Sequence, residues 1–427
     1  MGPNQSSNRR TIVGVGAEGK TNFGAHRNAR LVLAVVASAV AGAWLGPMAR
    51  QRTSHALPSR PANAERKSRV AAGRRGLWGQ LAYSPIFISL PDDYAPDESV
   101  VPPIRWWFEG FSKEHVDRLL GKAGLTPEQL GALGRSKWDI SPRGVIVDPP
   151  RELVADLSQS SRAHIYEALS LSTFNVAQRN PETFYPEHVD ERITSSGLDE
   201  RTLGQFRKML YPRGPRMLFS DSQVILPTLK TVEERKRFEQ MVHRKVTVLA
   251  KLSIDASSDI DAMVAYWGYA GEPKGRRSLL ESLARVPGGA ELDIAQMLPP
   301  FARDRLYTFP NSSEDNPAAR HDCVWTSLNF FNEHPDERFT DPQYAHQVLA
   351  RDYERVDAPK MGDIAVLMAP NGQSVHFAVH LADGLYYTKN GSDRMQPWML
   401  MTLDDLLTFY SIRVSTTLEV LYFRRKA

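Results

Sequence analysis

Apolar positions follow two different periods along this chain of 427 residues. From residue 78 to 300 they recur mostly at helical spacing. Thr126-Pro127-Glu128-Gln129 combines a cap, a first-turn proline and a capping-box glutamine, and Thr231-Val232-Glu233-Glu234 is a second box. That second box is expected to open a long helix with Phe238, Met241, Val242, Lys245, Leu249 and Leu252 on one stripe. Asp148-Pro149-Pro150 starts a helix carrying Leu153, Leu157 and His164, and Gly288-Gly289 closes one containing Leu279, Leu280 and Leu283. After residue 300 the pattern changes. The apolar run VWTSLNFF behind Cys323 predicts a short helix, and residues 341–356 predict another. Alternation then takes over: IAVLMA, a turn at Pro370-Asn371-Gly372-Gln373, VHFAVHLA, a turn at Asp383-Gly384, and LYYTKN read as antiparallel strands. A short helix over 402–410 and a strand over 416–423 close the chain. The pattern is that of an α+β protein, with a mainly helical region of unknown role at 76–300 and a C-terminal domain at 301–427, where an antiparallel sheet packs on a cysteine-bearing helix.

Residues 31–48, LVLAVVASAVAGAWLGPM, carry no charge and are flanked by Arg27, Arg30, Arg50 and Arg52. As a helix they would span about 27 Å, enough for a bilayer core. The stretch is therefore expected to be a transmembrane or signal segment, with Ala41-Gly42-Ala43 as a cleavage site in the second version. It follows a basic tail at 1–30 and precedes a stretch at 49–75, rich in Arg, Ser, Pro and Ala, that reads as a disordered linker. Both versions describe a single-pass membrane or exported protein with its C-terminal domain outside the cytoplasm. The basic flanks argue for the opposite orientation, with three Lys/Arg in residues 11–30 and five in 49–68. Residues 14–21, GVGAEGKT, match a phosphate-loop pattern but have no strand before them, so the match is read as coincidence.

Composition narrows the choices. With 42% hydrophobic and 24% charged residues the chain is neither collagen-like nor wholly disordered. The formal charge of +4 is misleading, because residues 1–75 hold 13 Lys/Arg against 2 Asp/Glu, leaving 40 against 47 for the remainder. The body is mildly acidic, so no nucleic-acid partner is expected. Cys323 is the single cysteine, which excludes an intrachain disulfide. His115, His164, His188 and His243 show no metal-ligand spacing, and Trp106 and Trp107 read as core and lid packing.

The candidate chemistry lies in the C-terminal third. Cys323 opens a helix, where the positive end of the helix dipole favours thiolate; Asp322 opposes this unless it caps the turn. Alternation in strand 375–382 puts His376, Ala378 and His380 on one face and apolar Phe377, Val379 and Leu381 on the other. Four positions along a strand separate the two histidines by about 13 Å, too far to share a metal. No metal site and no cofactor are expected. A thiol and an imidazole are the parts of a thiol nucleophile and its general base, and a third polar group must orient the imidazole. A three-residue turn with a bulge would set Asn390 diagonal to His376, whereas a two-residue turn would offer Lys389 instead. Asn390 is the preferred orienter, and His380 the runner-up.

The order Asp322-Cys323 at a helix start, then Pro359-Lys360-Met361-Gly362-Asp363 leading a strand, then His376 and an Asp383-Gly384 turn, resembles the NlpC-type branch of the papain-like fold, which cleaves bacterial cell-wall peptides. The resemblance covers about 120 residues. It implies Cys323 as nucleophile, His376 as base and acid, and Asn390 or Thr388 as the third residue, with Tyr307 approaching the substrate. The family's Ser-Gly after Asp-Cys is Val324-Trp325 here, so Trp325 is expected to crowd the cleft; His380 and Thr388 complete the substrate-facing set. The expectation is a thiol hydrolase, a cysteine peptidase or amidase, cutting an amide bond in a peptide or cell-wall substrate. Alternatives are an inactive papain-like binding module tethered to the membrane and an acyltransferase using the same thiol.

Overall fold

The computed structural model describes residues 71–92, 101–269, 275–310 and 321–426. The chain enters on a hairpin, β1 (Ala71–Gly76) and β2 (Gly79–Ile88), so the end of the stretch expected to be a linker is a strand. Two small three-stranded sheets follow, from β3 (Trp106–Glu109), β4 (Lys137–Ser141) and β5 (Gly144–Asp148), and from β6 (Glu182–Phe184), β7 (Tyr211–Arg213) and β8 (Arg216–Phe219). Next, β9 (Lys245–Ile254) pairs along the whole of β2, and β10 (Ala290–Asp293) pairs with β9, giving a four-stranded antiparallel sheet. The last third forms β11 (Tyr353–Val356), β12 (Ile364–Met368), β13 (Ser374–Ala382), β14 (Leu385–Lys389), β15 (Trp398–Thr402) and β16 (Glu419–Arg425). They make one antiparallel sheet in the order β11-β16-β12-β13-β14-β15.

The chain is α+β, but its middle region is not mainly helical. Both capping boxes form, at Thr126 with Gln129 and at Thr231 with Glu234. The helix from the second box ends at His243, however, and the expected continuation of its stripe is β9. Val246, Val248, Leu249 and Leu252 fit either period, and pairing with β2 decides for the strand. The helix expected after Pro150 is likewise two, Arg151–Asp156 and a Ser158-capped Gln159–Leu169. Trp106 is fully buried, and Trp107 stacks on Phe174 with ring centroids 3.9 Å apart.

Two principal cores divide the described residues. One, with Trp106, Tyr166, Phe206 and Phe238, is built from residues 104–242 and receives Ile412 from the C-terminal part. The other joins Leu81, Leu252, Trp267 and Phe301 to Trp325, Phe377 and Tyr387, so the flanks of the middle region complete the C-terminal unit, and residues 104–242 form an insertion between β2 and β9. Thr247 of β9 ties the two larger sheets together, donating to the Leu400 carbonyl at 2.7 Å and accepting from the Leu400 N–H at 3.1 Å. A smaller apolar layer, with Ala365, Leu367, Ala378, Met399 and Tyr410, covers the opposite face of the six-stranded sheet beneath the helix Leu403–Val414.

The membrane expectation needs correction. Residues 31–48 lie outside the described residues, and among the described residues no helix is long and apolar enough to cross a membrane. The longest described helices have 12 residues, about 18 Å, against a hydrocarbon core of about 30 Å. The single-pass architecture and the location outside the cytoplasm that depended on it therefore have no support in the described residues.

The Pro-x-x-Gly-Asp motif serves the fold. Asp363 is buried and pairs with Arg424 of β16 through both carboxylate oxygens, at 2.9 and 2.6 Å, while accepting the Lys360 N–H at 2.7 Å. Gly362 has φ +89°, and a Cβ there would overlap the Phe331 ring. Gly362→Ala should therefore cost about 1–3 kcal/mol, chiefly from backbone strain. The measurement is the urea midpoint, expected to fall at constant slope; an unchanged midpoint would refute the requirement for glycine.

Candidate functional site

Cys323 is the first residue of the helix Cys323–Leu328, capped by Asp322, whose Oδ1 accepts from the N–H groups of Val324 at 2.9 Å and Trp325 at 3.0 Å. The carboxylate thus takes two of the free N–H groups that would otherwise favour thiolate. The sulfur lies beside the N–H groups of Phe377 and of Cys323 itself, and near Lys389 and Asp322. Burial pushes the thiol up to about 12, Asp322 adds to the rise, and the Phe377 N–H pulls only partly against it.

The face assignment of β13 holds. Phe377, Val379 and Leu381 join the core that holds the cysteine helix, and Ala378 joins the layer beneath Leu403–Val414. His376 is 1% exposed and stacks on Tyr410, centroids 4.2 Å apart and planes 18° from parallel. Its Nε2 shares a 2.7 Å hydrogen bond with Thr388 Oγ1, and Nδ1 has no hydrogen-bond partner among the described residues. Burial alone pushes the imidazole down to about 3. Neither ring nitrogen is hydrogen-bonded to Cys323, so thiol and imidazole rest as a neutral pair rather than an ion pair.

Of the two residues offered for the third position, the structure sets Thr388, not the preferred Asn390, against the imidazole. The β13–β14 turn has two residues, Asp383 (φ +48°) and Gly384 (φ +70°), between paired Ala382 and Leu385, and a bulge lies between His380 and Ala382. The bulge restores the parity that the tight turn would have changed, so Thr388 shares the face of His376 and Lys389 faces the other side. Asn390 makes no bond to His376. Its Oδ1 accepts from the Tyr410 hydroxyl at 3.2 Å, and its Nδ2 points at the sulfurs of Met401 and Met399.

Three other candidates make contacts within the fold. His380 is buried, with Nδ1 3.2 Å from the Lys360 carbonyl and its ring edge-on to Tyr386 and Tyr422. Tyr307 has φ +63° and donates its hydroxyl to the Val248 carbonyl of β9 at 2.7 Å. Trp325 is fully buried rather than in a cleft, stacked on His321 at 3.8 Å and packed on Phe301.

Sequence reasoning missed Tyr410, and weighed Lys389 only as the residue a two-residue turn would offer. The Lys389 ammonium is fully buried, donates to the carbonyls of Gly391 (2.7 Å) and Asp393 (3.0 Å), and is pushed by burial down to about 8 against the pull of Asp393, Asp322 and Cys323. Beyond Tyr410 and Asn390 opens a cavity of about 610 Å3 between the insertion and the helix Leu403–Val414. No group of three or more potential metal ligands occurs among the described residues.

The imidazole also sets an acid limit on stability. Folded, it stays neutral to about pH 3, whereas unfolded it takes up a proton below about 6.5. The unfolded chain binds more protons in that window, so stability is complete above pH 6.5 and falls as pH drops toward 3, by about 1.4 kcal/mol per pH unit from this residue. His376→Gln is expected to flatten the acid limb of urea midpoints measured from pH 6.5 to 4; a limb identical to that of the parent chain would contradict a neutral imidazole.

No family model matches this chain, and neither the curated proteins nor the solved structures include a significant match, so the expected hydrolase, thiol protease and NlpC-type assignments gain no support from comparison.

Proposed function

We propose that the protein is a thiol-dependent acyl-transfer enzyme that hydrolyses an amide bond in a peptide, with Cys323 as nucleophile, His376 as base and acid, and Thr388 as the orienting group. The resemblance to the NlpC-type branch of the papain-like fold points to a cell-wall peptide as the substrate class. The observation that carries the reading is the state of His376: one nitrogen engaged by Thr388, the other buried without a partner, on the residue next to the N–H that the Cys323 sulfur meets. With Nε2 donating to the hydroxyl, Nδ1 is the bare nitrogen, the tautomer a general base needs. Its proton comes from the thiol as the sulfur attacks the carbonyl carbon. The backbone N–H of Cys323, beside the sulfur, is the donor for the developing oxyanion. The imidazolium then protonates the leaving amine, and a water deprotonated by the same nitrogen cleaves the thioester. Because both partners rest neutral, proton transfer accompanies attack instead of preceding it.

A second reading, an inert binding module of the same architecture, is favoured by the raised thiol and by the lack of a hydrogen bond between sulfur and imidazole.

Release of new amine from a pool of cell-wall peptides by the full chain separates the two. The enzyme reading expects release that Cys323→Ala abolishes, His376→Ala lowers by at least about 100-fold, and Thr388→Val lowers less, mainly in kcat. Iodoacetamide should label native Cys323 at pH 8 roughly a thousand times more slowly than a free cysteine, given a thiolate fraction set by a pKa near 12. Release that is absent, or unchanged by Cys323→Ala, sinks the enzyme and leaves the binding module, while labelling as fast as that of a free cysteine would contradict the raised thiol.

A further inference from the structure

The cavity beyond Tyr410 has the size of a small-ligand site and lies on the seam between the two principal cores. Its wall takes Glu182 and His243 from the insertion, and Asn390, Gln396, Tyr410 and Arg413 from the C-terminal unit. It reaches the candidate dyad through Tyr410, whose ring stacks on His376 and whose hydroxyl donates to Asn390.

The charges around this wall do not balance. Glu182 accepts from Lys245 at 2.5 Å and lies 3.1 Å from His243 Nδ1, and His243 Nε2 is 3.0 Å from Glu239. Burial opposes charge on His243, but the two carboxylates outweigh it and hold the imidazole up at about 9, so it is a cation at neutral pH. Arg192 and Arg413 both feel Glu182. Asp393 also lines the cavity and interacts with the buried Lys389; apart from that pair, four cations share two carboxylates. Arg413 has no carboxylate partner among the described residues: its terminal nitrogens donate to the carbonyls of Phe409 (3.0 Å) and Pro181 (2.9 Å) and to the Thr183 hydroxyl, and Nε donates to nothing described. A half-buried guanidinium satisfied only by neutral oxygens, on the wall of a cavity, is a receptor for an anion, and its Nε–H is the donor left for a carboxylate.

We propose that this cavity binds the acyl donor and receives a carboxylate of the donor peptide at Arg413. The word donor rests on the enzymatic reading above; binding of an acidic peptide does not. An acidic peptide seated there places its chain along Tyr410 and Asn390, toward the His376 side of the sheet. Glu182, already held by Lys245 and His243, is the wall's fixed counter-charge.

The test uses the full chain carrying Cys323→Ala, so that nothing turns over, and titrates it calorimetrically with N-acetyl-Ala-Glu and with the uncharged N-acetyl-Ala-Gln amide. The acid is expected to bind at least ten times more tightly than the amide, and Arg413→Gln to remove that preference. Arg413 also joins the two units, so that variant can fail to fold. Ser222→Glu is the second arm: Ser222 lines the cavity, makes none of the hydrogen bonds of Arg413, and would bring a competing carboxylate to the wall. It should weaken the acid at least tenfold and leave the amide unchanged. Equal affinity for acid and amide, no binding of either, or indifference of the acid to Ser222→Glu overturns the proposal. Acid-selective binding without any amine release by the parent chain keeps the cavity and removes the enzyme; amine release with no preference for acidic peptides does the reverse.

Discussion

The imidazole of His376 lies in an apolar layer with one hydrogen bond, to Thr388, and the chemistry open to the C-terminal unit follows from holding it there uncharged. A charged imidazole at that depth would need a carboxylate, and none is bonded to it. Thr388 supplies a hydroxyl, which satisfies a neutral ring without stabilising an imidazolium as an aspartate would. The stacked Tyr410 ring excludes water from the other side. Thiol and imidazole are thus biased the same way, each toward its uncharged form, by the same shortage of solvent. This distinguishes the site from one that stores a thiolate–imidazolium pair.

How much of this was readable in the chain depended on whether a feature was local. The two faces of β13 and the capping boxes are written in neighbouring residues and formed as expected, while the Asp383-Gly384 turn stands at its expected place with two residues instead of three. The choice between Asn390 and Thr388 as the third residue was not readable, because it turns on parity. The tight turn alone would present Lys389 to His376, and the bulge after His380, a property of pairing between strands, returns Thr388 to that face. Residues 245–254 were misread for the same reason, since an apolar stretch that suits either period is settled by its partner, here β2. Glu182, His243, Tyr410 and Arg413 come from separate stretches of chain with no spacing to relate them, so the cavity had no signature in sequence.

The motif that drew attention to the C-terminal third has two physical jobs. Asp322 and Cys323 start a helix, and the aspartate spends its lone pairs on the Val324 and Trp325 N–H groups. Gly362 and Asp363 lock the start of β12 to Arg424 on β16, the neighbouring strand. Trp325, which would crowd a cleft if it pointed outward, instead fills the core between His321 and Phe301. Trp325 thereby packs the cysteine helix into that core, and the region around the sulfur is left to Phe377 and Lys389.

The helix Leu403–Val414 connects these features. Asp405 pairs with Arg216 of the insertion at 2.6 Å, Ile412 enters the insertion core, Arg413 bonds Pro181, and Tyr410 covers His376. The position of the insertion therefore sets how much water reaches the imidazole. Desolvation is the largest cause of the shifts at both Cys323 and His376, and it moves them in opposite directions, up to about 12 and down to about 3. Admitting water past Tyr410 would lower one and raise the other together, so a small opening of that seam narrows the gap between thiol and imidazole from both ends. A ligand seated in the proposed site would contact the same tyrosine, and its occupancy would then be linked to the protonation of His376.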